Sequence, residues 1–518
     1  MQKKITLILS PEESSNSKIY RQIVAKKLNV PEKEITNIQI TRKSIDARAT
    51  NIKINLALLV SIGETHTSKP IEFDYKDVSN KSEVHIIGSG PAGLFAALRF
   101  IELGVKPIIF ERGKSISERK RDIALLNREH LVDTDSNYCF GEGGAGTFSD
   151  GKLYTRSKKR GSIQKILEIL NYHGAADDIL YESHPHVGTD KLPAIVEKIR
   201  NTILNAGGEI HFNTKLVDFI VENDKLKGFV TKDNTKIFCK NLILATGHSA
   251  RDIYELLWKK KVAIEAKSFA LGVRVEHPQD LIDSIQYNCK TRSDYLPAAT
   301  YNLNTQVDGR GIYSFCMCPG GHIVPSASSP NEIVVNGMSA SKRNSQFANS
   351  GMVVEIRPQD VPELQEYGEL SLMKFQQNVE HMAYSNGGKG QIAPAQRLHD
   401  FVNKKLSPFL PESSYFPGII SSPLHFWLPE IVSKSLQEGF KKFGRKMKGF
   451  LTNEAVIIGV ESRTSSPVRI PRNNKTFEHN QIKGLFPCGE GSGYAGGIMS
   501  SAIDGENCAN SVFEASIS

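Results

Sequence analysis

Blocks of apolar and polar positions along the chain change period several times, and each block predicts a helix or a strand. Near the N-terminus a strand is predicted at Ile5 to Ser10, a helix at Ser15 to Leu28 and two alternating strands at Ile38 to Ile45 and Ile52 to Ile62. This β-α-β-β order predicts one half of a ferredoxin-like fold. The polar stretch from Ser61 to Ser82 contains glycine, proline and asparagine and is the predicted linker.

A second block begins with a continuous apolar strand, Val84 to Ile87, which runs into a glycine-rich turn. An apolar helix at Leu94 to Leu103 and a strand at Pro107 to Phe110 follow, so we expect one βαβ unit. Further helices and strands are predicted at Ile163 to Tyr172, Leu192 to Asn205, Glu209 to Asn213, Leu216 to Glu222, Lys236 to Phe238 and Asn241 to Ala245.

The turn of this βαβ unit reads Gly88-Ser89-Gly90-Pro91-Ala92-Gly93 and lies between a strand and a helix, as the GxGxxG fingerprint requires. In that fingerprint the first glycine permits a tight turn, the second lets the backbone approach a pyrophosphate, and the third allows close helix and strand packing. The helix N-terminus adds amides and a positive dipole. Glu111 ends the next strand, 18 residues after Gly93, where its carboxylate can accept hydrogen bonds from a ribose. The motif therefore predicts a bound dinucleotide.

The rest of the chain mixes strands with helices and ends on a strand and a long helix. The predicted elements are Phe269 to Glu276, Ile333 to Asn336, Leu370 to Tyr384, Pro429 to Phe443, Gly484 to Cys488 and Gly497 to Glu514. The last two would complete the dinucleotide-binding sheet, so that domain is discontinuous in sequence. We expect an α/β protein with a ferredoxin-like domain at 1–80, a Rossmann-type domain at 81–262 and 452–518, and an inserted α+β substrate or interface domain at 263–451.

Three more glycine-rich segments favour FAD over NAD as the dinucleotide. They are Phe140 to Lys152, the strand Leu242 to Gly247 that ends in Ala-Thr-Gly, and Gly484 to Met499. Glu490 is placed to bind a ribityl hydroxyl. A helix that begins near Gly497 would direct its amides at the flavin pyrimidine edge, where reduced flavin carries negative charge. Taken singly, the first segment reads equally well as a surface loop and the second as a plain strand.

Composition removes several other classes of protein. Hydrophobic residues at 39% and charged residues at 23% are ordinary for a globular chain. The apolar stretch before Pro11 is too short for a signal peptide, and no segment reaches the roughly 18 apolar residues of a membrane span, so we expect a cytoplasmic protein. Seven cysteines without repeated spacing favour reduced thiols, and we expect no metal site. The net charge of +9 lies in scattered runs such as Arg156 to Arg160, and because no recognised nucleic-acid module accompanies it, we do not expect nucleic-acid binding.

These segments together resemble a known family, the FAD-dependent dehydrogenases of uncharacterised substrate, within the flavoprotein group that includes fumarate reductases. The resemblance spans the chain and is most specific at Gly141 to Lys152, Cys316 to Gly321, Glu461 to Arg469 and Gly489 to Gly505. It implies bound FAD, a ferredoxin-like N-terminal domain and an oxidoreductase activity without a defined reaction. It also implies that the backbone at Leu216 contacts the adenine.

Candidate catalytic residues lie in two of these segments. Cys316 and Cys318 are alternate residues that share one strand face, which suits either a redox pair near the flavin or two buried structural thiols. His322 is the nearest titratable candidate for proton delivery. Arg463 and Arg469 suit either a clamp on an anionic substrate or the flavin, or structural salt bridges.

The candidate cofactor-binding residues come from every glycine-rich segment. They are Gly88, Gly90, Pro91, Ala92, Gly93, Glu111, Arg112, Gly143, Gly144, Thr147, Ser149, Asp150, Lys152, Leu216, Thr246, Gly247, Gly489, Glu490, Gly496, Gly497 and Ile498.

The sequence thus predicts an FAD-dependent oxidoreductase that holds FAD noncovalently and passes hydride through flavin N5. The partner is a small-molecule substrate or an electron-transfer protein, with NADH or NADPH as a transient electron donor. The sequence leaves open an RNA-binding or RNA-modifying flavoprotein and a noncatalytic FAD-binding protein. Monooxygenation ranks lower, because Gly247 to Asp252 lacks the Asp-Gly pair of the flavin hydroxylases.

Overall fold

The structure is a computed structural model that describes residues 1–49, 51–63, 71–155 and 160–517. Two predictions reach outside these ranges, namely part of the linker between Ser61 and Ser82 and part of the basic run from Arg156 to Arg160.

The N-terminal unit is a three-stranded antiparallel sheet with two helices. Its elements are β1 (Gln2–Leu9), α1 (Pro11–Ser15), α2 (Ser17–Leu28), β2 (Ile35–Asp46) and β3 (Lys53–Ile62). β3 lies between β1 and β2 and is antiparallel to both, which is the strand order of a split βαβ unit. Alternate residues Ile54, Leu56 and Leu58 of β3 are buried, so the period-two pattern defines the face that packs on the core.

The next part of the chain builds a nucleotide-binding sheet and a small β-meander. Its elements are β4 (Glu83–Ile87), α3 (Pro91–Glu102), β5 (Lys106–Phe110), α4 (Ile116–Glu129), α5 (Ile163–Tyr172), α6 (Leu192–Asn205), β6 (Glu209–His211), β7 (Leu216–Glu222), β8 (Lys225–Thr231), β9 (Lys236–Phe238), β10 (Leu242–Leu244) and α7 (Arg251–Lys259). Sequence reasoning missed α4, β8 and α7. Asn223 and Asp224 form the tight turn between β7 and β8 with φ of 49° and 56°, a pair of left-handed residues that suits a two-residue hairpin.

The central part of the chain alternates long strands with helices. Its elements are β11 (Glu265–Ala266), β12 (Phe269–Pro278), α8 (Gln279–Tyr287), β13 (Asn304–Val307), β14 (Arg310–Cys318), β15 (Gly321–Pro325), β16 (Val335–Ser339), β17 (Phe347–Ile356), α9 (Ser371–Ser385), β18 (Ala393–Arg397), α10 (Leu398–Val402), β19 (Ile419–Ser421), α11 (Leu424–Trp427), α12 (Glu430–Lys446), β20 (Val456–Glu461) and β21 (Val468–Arg469). The strand predicted at Ile333 to Asn336 is two residues out of place, since β16 begins at Val335 and its position is fixed by pairing with β15.

The chain ends on β22 (Leu485–Pro487) and α13 (Ile498–Ile517). Within the described residues, β22 and β10 extend the sheet of the first βαβ unit, giving the parallel order β22-β10-β4-β5-β6. A parallel sheet with α3 following its central strand is the Rossmann-type arrangement. β22, near the end of the chain, and β4 thus belong to the same sheet.

A second, mixed sheet has the order β13-β14-β17-β12-β20-β18-β19. β20 pairs with β12 and β18, so this sheet continues to Glu461. The boundary predicted between residues 451 and 452 falls before β20, so the predicted C-terminal part of the Rossmann-type domain includes one strand of this sheet. The antiparallel pair of β11 and β21 then joins the two ends of this unit where the chain enters and leaves it.

None of the described helices is both long and apolar enough to cross a membrane.

Candidate functional site

The turn after β4 has the geometry that brings a helix N-terminus close to a parallel sheet. Gly88 has φ of +103°, and a Cβ there would lie 2.4 Å from the carbonyl oxygen of Ala245. A Cβ on Gly93 would lie 1.9 Å from the Gly88 oxygen. At Gly90 the nearest atom to a Cβ is 3.9 Å away, so the chain leaves open space there, in front of the first amides of α3. This is the geometry of an anion site.

Glu111 links this turn to two neighbouring segments. Ser89 donates to its Oε2 from the backbone N (2.8 Å) and from Oγ (2.9 Å). The backbone amides of Gly113 and Gly141 donate to Oε1 at 2.9 and 3.0 Å. These four hydrogen bonds use the usual acceptor positions of a carboxylate. Glu111 therefore organises the turn, and a ribose hydroxyl would have to share or displace one of these donors.

The segment from Gly141 to Lys152 crosses in front of the turn. The Gly143 amide donates to the Ser89 oxygen at 3.0 Å, and a Cβ on Gly144 would lie 3.1 Å from the Gly90 Cα. Thr147 donates to the Glu142 oxygen at 2.8 Å, while Ser149 donates to the Gly146 oxygen. Both hydroxyls are thus used within the loop, and the backbone faces the turn.

The C-terminal glycine-rich segment meets the same cleft from the other side. A Cβ on Gly489 would lie 2.9 Å from the Ala92 Cβ, and a Cβ on Gly491 would lie 2.5 Å from the Gly247 oxygen. Gly496 and Gly497, just before Ile498 at the start of α13, have no other atom within 4 Å of a Cβ position. The turn at 88–93, the loop at 143–147, the Ala-Thr-Gly end of β10 with Thr246, and the N-terminus of α13 therefore surround one cleft.

Charged side chains close the end of the cleft beside β5 and β7. Arg112 donates from Nη2 to both carboxylate oxygens of Asp252, at 2.9 Å each, and stacks over the Phe140 ring at 4.4 Å. Lys215 bridges Asp135 and Asp252 at 3.1 Å each. Leu216, which begins β7, is buried, so its backbone rather than its side chain is what it offers a ligand.

A cavity lies where this cleft meets the antiparallel pair of β15 and β16. One wall carries Ala145 and Ser149 of the glycine-rich loop, and the opposite wall carries Ser326 and Gly337. His248, which directly follows the Ala-Thr-Gly turn, also lines it. Sequence reasoning did not select His248, although its position right after Gly247 was an available signal.

His248 is neutral at ordinary pH. Burial, and then the charges of Arg463 and Arg251, lower its pKa to about 3. Its Nε2 lies 3.9 Å from Glu490 Oε1, and its buried Nδ1 has no hydrogen-bond partner. Burial also raises the pKa of Glu490 to about 7.

Arg463 lines the cavity, but its guanidinium is fully used by the protein. Nε and Nη2 donate to Glu380 at 2.8 and 3.0 Å, and Nη2 also lies 3.3 Å from Glu332. Nη1 donates to the hydroxyls of Ser249 and Ser328 at 2.9 and 3.1 Å. Because guanidinium has five N–H donors, none remains for a substrate. The sequence left open whether Arg463 clamps a ligand or forms structural salt bridges, and these contacts correspond to structural salt bridges.

The other catalytic candidates are separated. Cys316 and Cys318 lie together with Lys152, whose Nζ is 3.8 and 3.9 Å from the two sulfurs. Asp150, which neighbours Ser149 on the cavity wall, pairs with Arg343 at 2.9 Å. His322 is solvent-exposed on β15 and is not among the residues that line the cavity.

One cluster of described residues has the donors of a metal site. Cys488, Asp504 and Cys508 place ligand atoms within 4.8 Å of one another. Arg472 donates to both carboxylate oxygens of Asp504, at 2.6 and 3.0 Å, and the Gly489 amide donates to Oδ2 at 2.8 Å. The guanidinium thus supplies the positive charge of this cluster and ties α13 to the loop at Gly489.

The cleft fits FAD on two observations. Open space stands in front of Gly90, Gly247, Gly496 and Gly497, where two helix N-termini present their amides. Buried polar atoms at the cleft, His248 Nδ1 and Asp150 Oδ1, lack partners, a condition that costs about 1–3 kcal/mol each until a partner is supplied. The turn at 88–93 and the loop at 143–144 would hold the pyrophosphate, and the cavity would hold the flavin end.

The chain is similar to several known proteins. Residues 268–464 match the family described as FAD-dependent protein, C-terminal domain-like, and residues 1–61 match a domain of unknown function. An uncharacterized protein of Clostridium beijerinckii is 40% identical over 512 residues, which is 95% of each chain. Thiamine thiazole synthase of Aeropyrum pernix is 27% identical over 217 residues, covering 39% of this chain and 67% of that protein.

Solved structures of lower similarity also match. Glycine oxidase from Bacillus cereus is 14% identical with a TM-score of 0.31, covering 84% of this chain and 96% of that one. Quinol fumarate reductase of E. coli is 11% identical with a TM-score of 0.36, covering 85% of this chain and 71% of that one.

The site and the family match define a class of protein, the FAD-dependent proteins. Within that class, the chain belongs to the family of the Clostridium beijerinckii protein, with which it shares nearly its full length.

Proposed function

We propose that this enzyme oxidises or reduces a small, uncharged polar molecule by two electrons, with hydride passing between the substrate and N5 of noncovalently bound FAD. The observation that carries the proposal is the cavity, because the FAD-binding loop supplies one wall and the antiparallel pair of β15 and β16 supplies another. A substrate there would lie between the FAD-binding part and the inserted part of the chain. That is a common place for a ligand site.

The polarity of the cavity supports an uncharged substrate. Ser149, Ser249, Ser326 and Asn336 supply hydroxyl and amide groups. His248 stays neutral, and Arg463 is compensated by two glutamates. A charged substrate would enter this enclosed site without a free opposite charge, which is costly. A neutral molecule is oriented by the same groups without that penalty.

His248 would act as a hydrogen-bonding group rather than as a proton donor. A side chain with a pKa of about 3 stays deprotonated across the neutral range. Its unpartnered Nδ1 can hold a hydroxyl of the substrate or a polar edge of the flavin. The four glycine-rich segments hold the cofactor through backbone amides, so we assign the candidate cofactor residues of the sequence to that role.

We propose the domain division with one change. The N-terminal unit is assigned to a ferredoxin-like domain on the strand order β1-β3-β2. The inserted domain is assigned to about 268–464, which is the family match and also encloses the mixed sheet. The FAD-binding domain then comprises 81–267 and 465–518. A cytoplasmic location, and NADH or NADPH as transient donor, are proposed on the sequence arguments alone.

The first test is an absorbance spectrum of the purified protein before and after anaerobic addition of NADH or NADPH, with the acid-released cofactor identified by chromatography. We expect bound FAD. Rapid bleaching by a pyridine nucleotide would support a nicotinamide-linked reaction, and bleaching only by other donors would point to a substrate-reduced dehydrogenase. Protein that holds no flavin after reconstitution with FAD would overturn the proposal.

A further inference from the structure

Cys316 and Cys318 lie on an irregularity of the mixed sheet. The pairing of β14 with β17 slips by one residue between Phe315 and Cys318, which is a β-bulge. Cys316 has φ of +47°, a left-handed conformation that non-glycine residues rarely adopt outside turns and functional sites. Here a cysteine adopts this conformation, although a glycine would do so without strain.

The two sulfurs share one cation. Lys152 Nζ lies 3.8 Å from Cys316 Sγ and 3.9 Å from Cys318 Sγ, and it also donates to the Met317 carbonyl oxygen. The Cys318 thiol lies 3.3 Å from the Cys316 carbonyl oxygen. The bulge and the left-handed Cys316 turn both sulfurs toward the same cation, and the two thiols also form a hydrogen bond with each other. The pair therefore has the proximity that a reversible bond requires.

A second buried cation holds the backbone of the pair. Arg274, fully buried, lies 3.4 and 3.5 Å from the Cys316 carbonyl oxygen through Nη1 and Nη2, and its Nε donates to Glu461 at 2.7 Å. A hydrogen bond from Cys318, and then the charges of Lys152 and Arg274, lower the pKa of the Cys316 thiol. The pKa of Cys318 is raised, first by its hydrogen bond to Cys316 and then by burial. One thiolate and one thiol is thus the favoured reduced state.

The pair adjoins the cavity wall. Arg274 Nη2 lies 3.4 Å from Asn336 Oδ1, and Asn336 and Gly337 line the cavity opposite Ser149. Lys152 is three residues after Ser149 on the glycine-rich loop. The thiols are therefore tied to both walls of the space proposed for the flavin and the substrate.

We propose that Cys316 and Cys318 form a second redox centre, a disulfide that opens and closes by exchanging two electrons with the flavin. This inference rests on the proposed FAD function. In the reducing direction the Cys316–Cys318 bond accepts two electrons from reduced flavin and breaks. Cys316 leaves as a thiolate held by Lys152, and Cys318 takes one proton. In the other direction Cys318 loses that proton, the sulfur–sulfur bond forms, and two electrons pass to oxidised flavin.

The pair would let the enzyme store two reducing equivalents beyond those of the flavin. Cytosolic disulfides are mainly transient and catalytic, so a bond that opens and closes during turnover is compatible with a reducing compartment. The two stored electrons would then reduce either a disulfide substrate or a second molecule of the substrate that binds at the flavin.

The test counts thiols and electrons separately. Holoenzyme is oxidised in air, alkylated under denaturing conditions, and compared with holoenzyme reduced anaerobically with dithionite before alkylation. We expect the peptide that carries Cys316 and Cys318 to be two hydrogens lighter and unlabelled in the oxidised sample only. Full reduction is expected to need twice as many electrons per FAD in wild type as in Cys316→Ser or Cys318→Ser. Cys289→Ser, which alters a cysteine outside this cluster, is the matched control and should behave as wild type.

Lys152 is tested as a positioning residue. Lys152→Met should move the pH of half-maximal iodoacetamide labelling of Cys316 upward, and Lys152→Arg should restore it, because either cation stabilises the thiolate. Equal thiol counts in oxidised and reduced wild type, with FAD bound and taking up two electrons, would overturn the redox pair while leaving the FAD function intact. Absence of flavin from the same preparation would instead overturn the proposed function. The wild-type thiol count needs no variant, so a variant that fails to fold does not remove the test.

Discussion

Arg463 holds Glu380 through two parallel contacts, from Nε to Oε1 at 2.8 Å and from Nη2 to Oε2 at 3.0 Å. Arg251 reaches the same carboxylate from α7 at 2.7 Å and pairs with Glu332 at 2.9 Å. All four side chains are buried. Burial would raise the pKa of Glu380, but the charges of Arg251 and Arg463 hold it at about 2, whereas burial raises that of Glu332 to about 7. The network joins the FAD-binding part to the inserted part under the cavity.

Removing one arginine should therefore destabilise the protein strongly. Arg463→Ala leaves two buried carboxyl groups with Arg251 as their one remaining cation, and breaking a buried pair costs about 3–5 kcal/mol. The measurement is the thermal unfolding midpoint of the purified variant. Arg469→Ala is the control, because its side chain is 42% exposed and its carboxylate partner is 3.9 Å away, so a change within about 0.5 kcal/mol is expected. Similar midpoints for both variants would contradict the role assigned to the network.

Gly90→Val should remove FAD without unfolding the chain. The backbone there has φ of −71°, and no protein atom lies within 3.9 Å of a Cβ, so valine fits the unliganded protein but fills the space of a pyrophosphate. We expect colourless protein with an unchanged far-ultraviolet circular dichroism spectrum. Gly311→Val on β14, another glycine with open space around it, should keep its full flavin content. A yellow Gly90→Val protein would show that the phosphates bind elsewhere.

Gly505→Ala should destabilise the protein, although the same change at an open helix position stabilises by about 1 kcal/mol. A Cβ on Gly505 would lie 2.1 Å from the Ala92 oxygen, where α13 packs on α3. Separating these helices costs about 1–3 kcal/mol, as overpacking does, and it moves both N-termini that face the cofactor. Lower thermal stability and weaker FAD retention are expected together.

The control for this prediction is a second helical glycine. Gly444→Ala in α12 meets Leu451 Cβ at 3.1 Å, a much milder contact than the 2.1 Å approach at Gly505. We expect a change in stability of less than about 1 kcal/mol. A higher melting temperature for Gly505→Ala than for wild type would show that the two helices are not in contact as described.

Local sequence signals predicted the elements that carry the cofactor. The helices at 163–172 and 192–205 and the strands at 216–222 and 236–238 have the predicted bounds, because period, caps and turns within a dozen residues determine them. The turn at Gly88 to Gly93 follows from the same kind of local pattern. The same residues also predict the kind of ligand, because a glycine-rich turn before a helix N-terminus is a typical phosphate-binding site.

Long-range pairing produced the features that the sequence did not reveal. Arg463 and Glu380 are 83 residues apart, and a periodicity analysis gives no reason to pair them. The bulge at Cys316 depends on the register between β14 and β17, which is set by neighbours more than thirty residues away. The sequence analysis did not predict β20, whose continuous apolar pattern fits a buried strand of either sheet. The residue types therefore indicated where the site lies. The long-range contacts determine which candidate side chains can contact a ligand.

Glu490 should make the stability of the FAD-free protein depend on pH. Burial raises its pKa from 4.5 to about 7, against the opposing effects of Lys267 and the Gly497 amide. Below pH 4.5 the carboxyl is protonated in both folded and unfolded chains, and the folded chain bears no charging cost. Between pH 4.5 and about 7 the unfolded chain releases its proton while the folded chain keeps it, so stability falls as pH rises. Above that window both are ionised and the loss is complete.

Glu490→Gln cannot ionise, so the variant should gain stability relative to wild type as pH rises through the window. The measurement is the unfolding midpoint of apoprotein from pH 4 to 8, taken as variant minus wild type. Glu461, whose pKa burial raises to about 7 as well, remains in both proteins and cancels in that difference. A difference that stays constant with pH would mean that Glu490 is ionised throughout, and its carboxylate would then face the flavin as an anion rather than as a neutral hydrogen-bonding group.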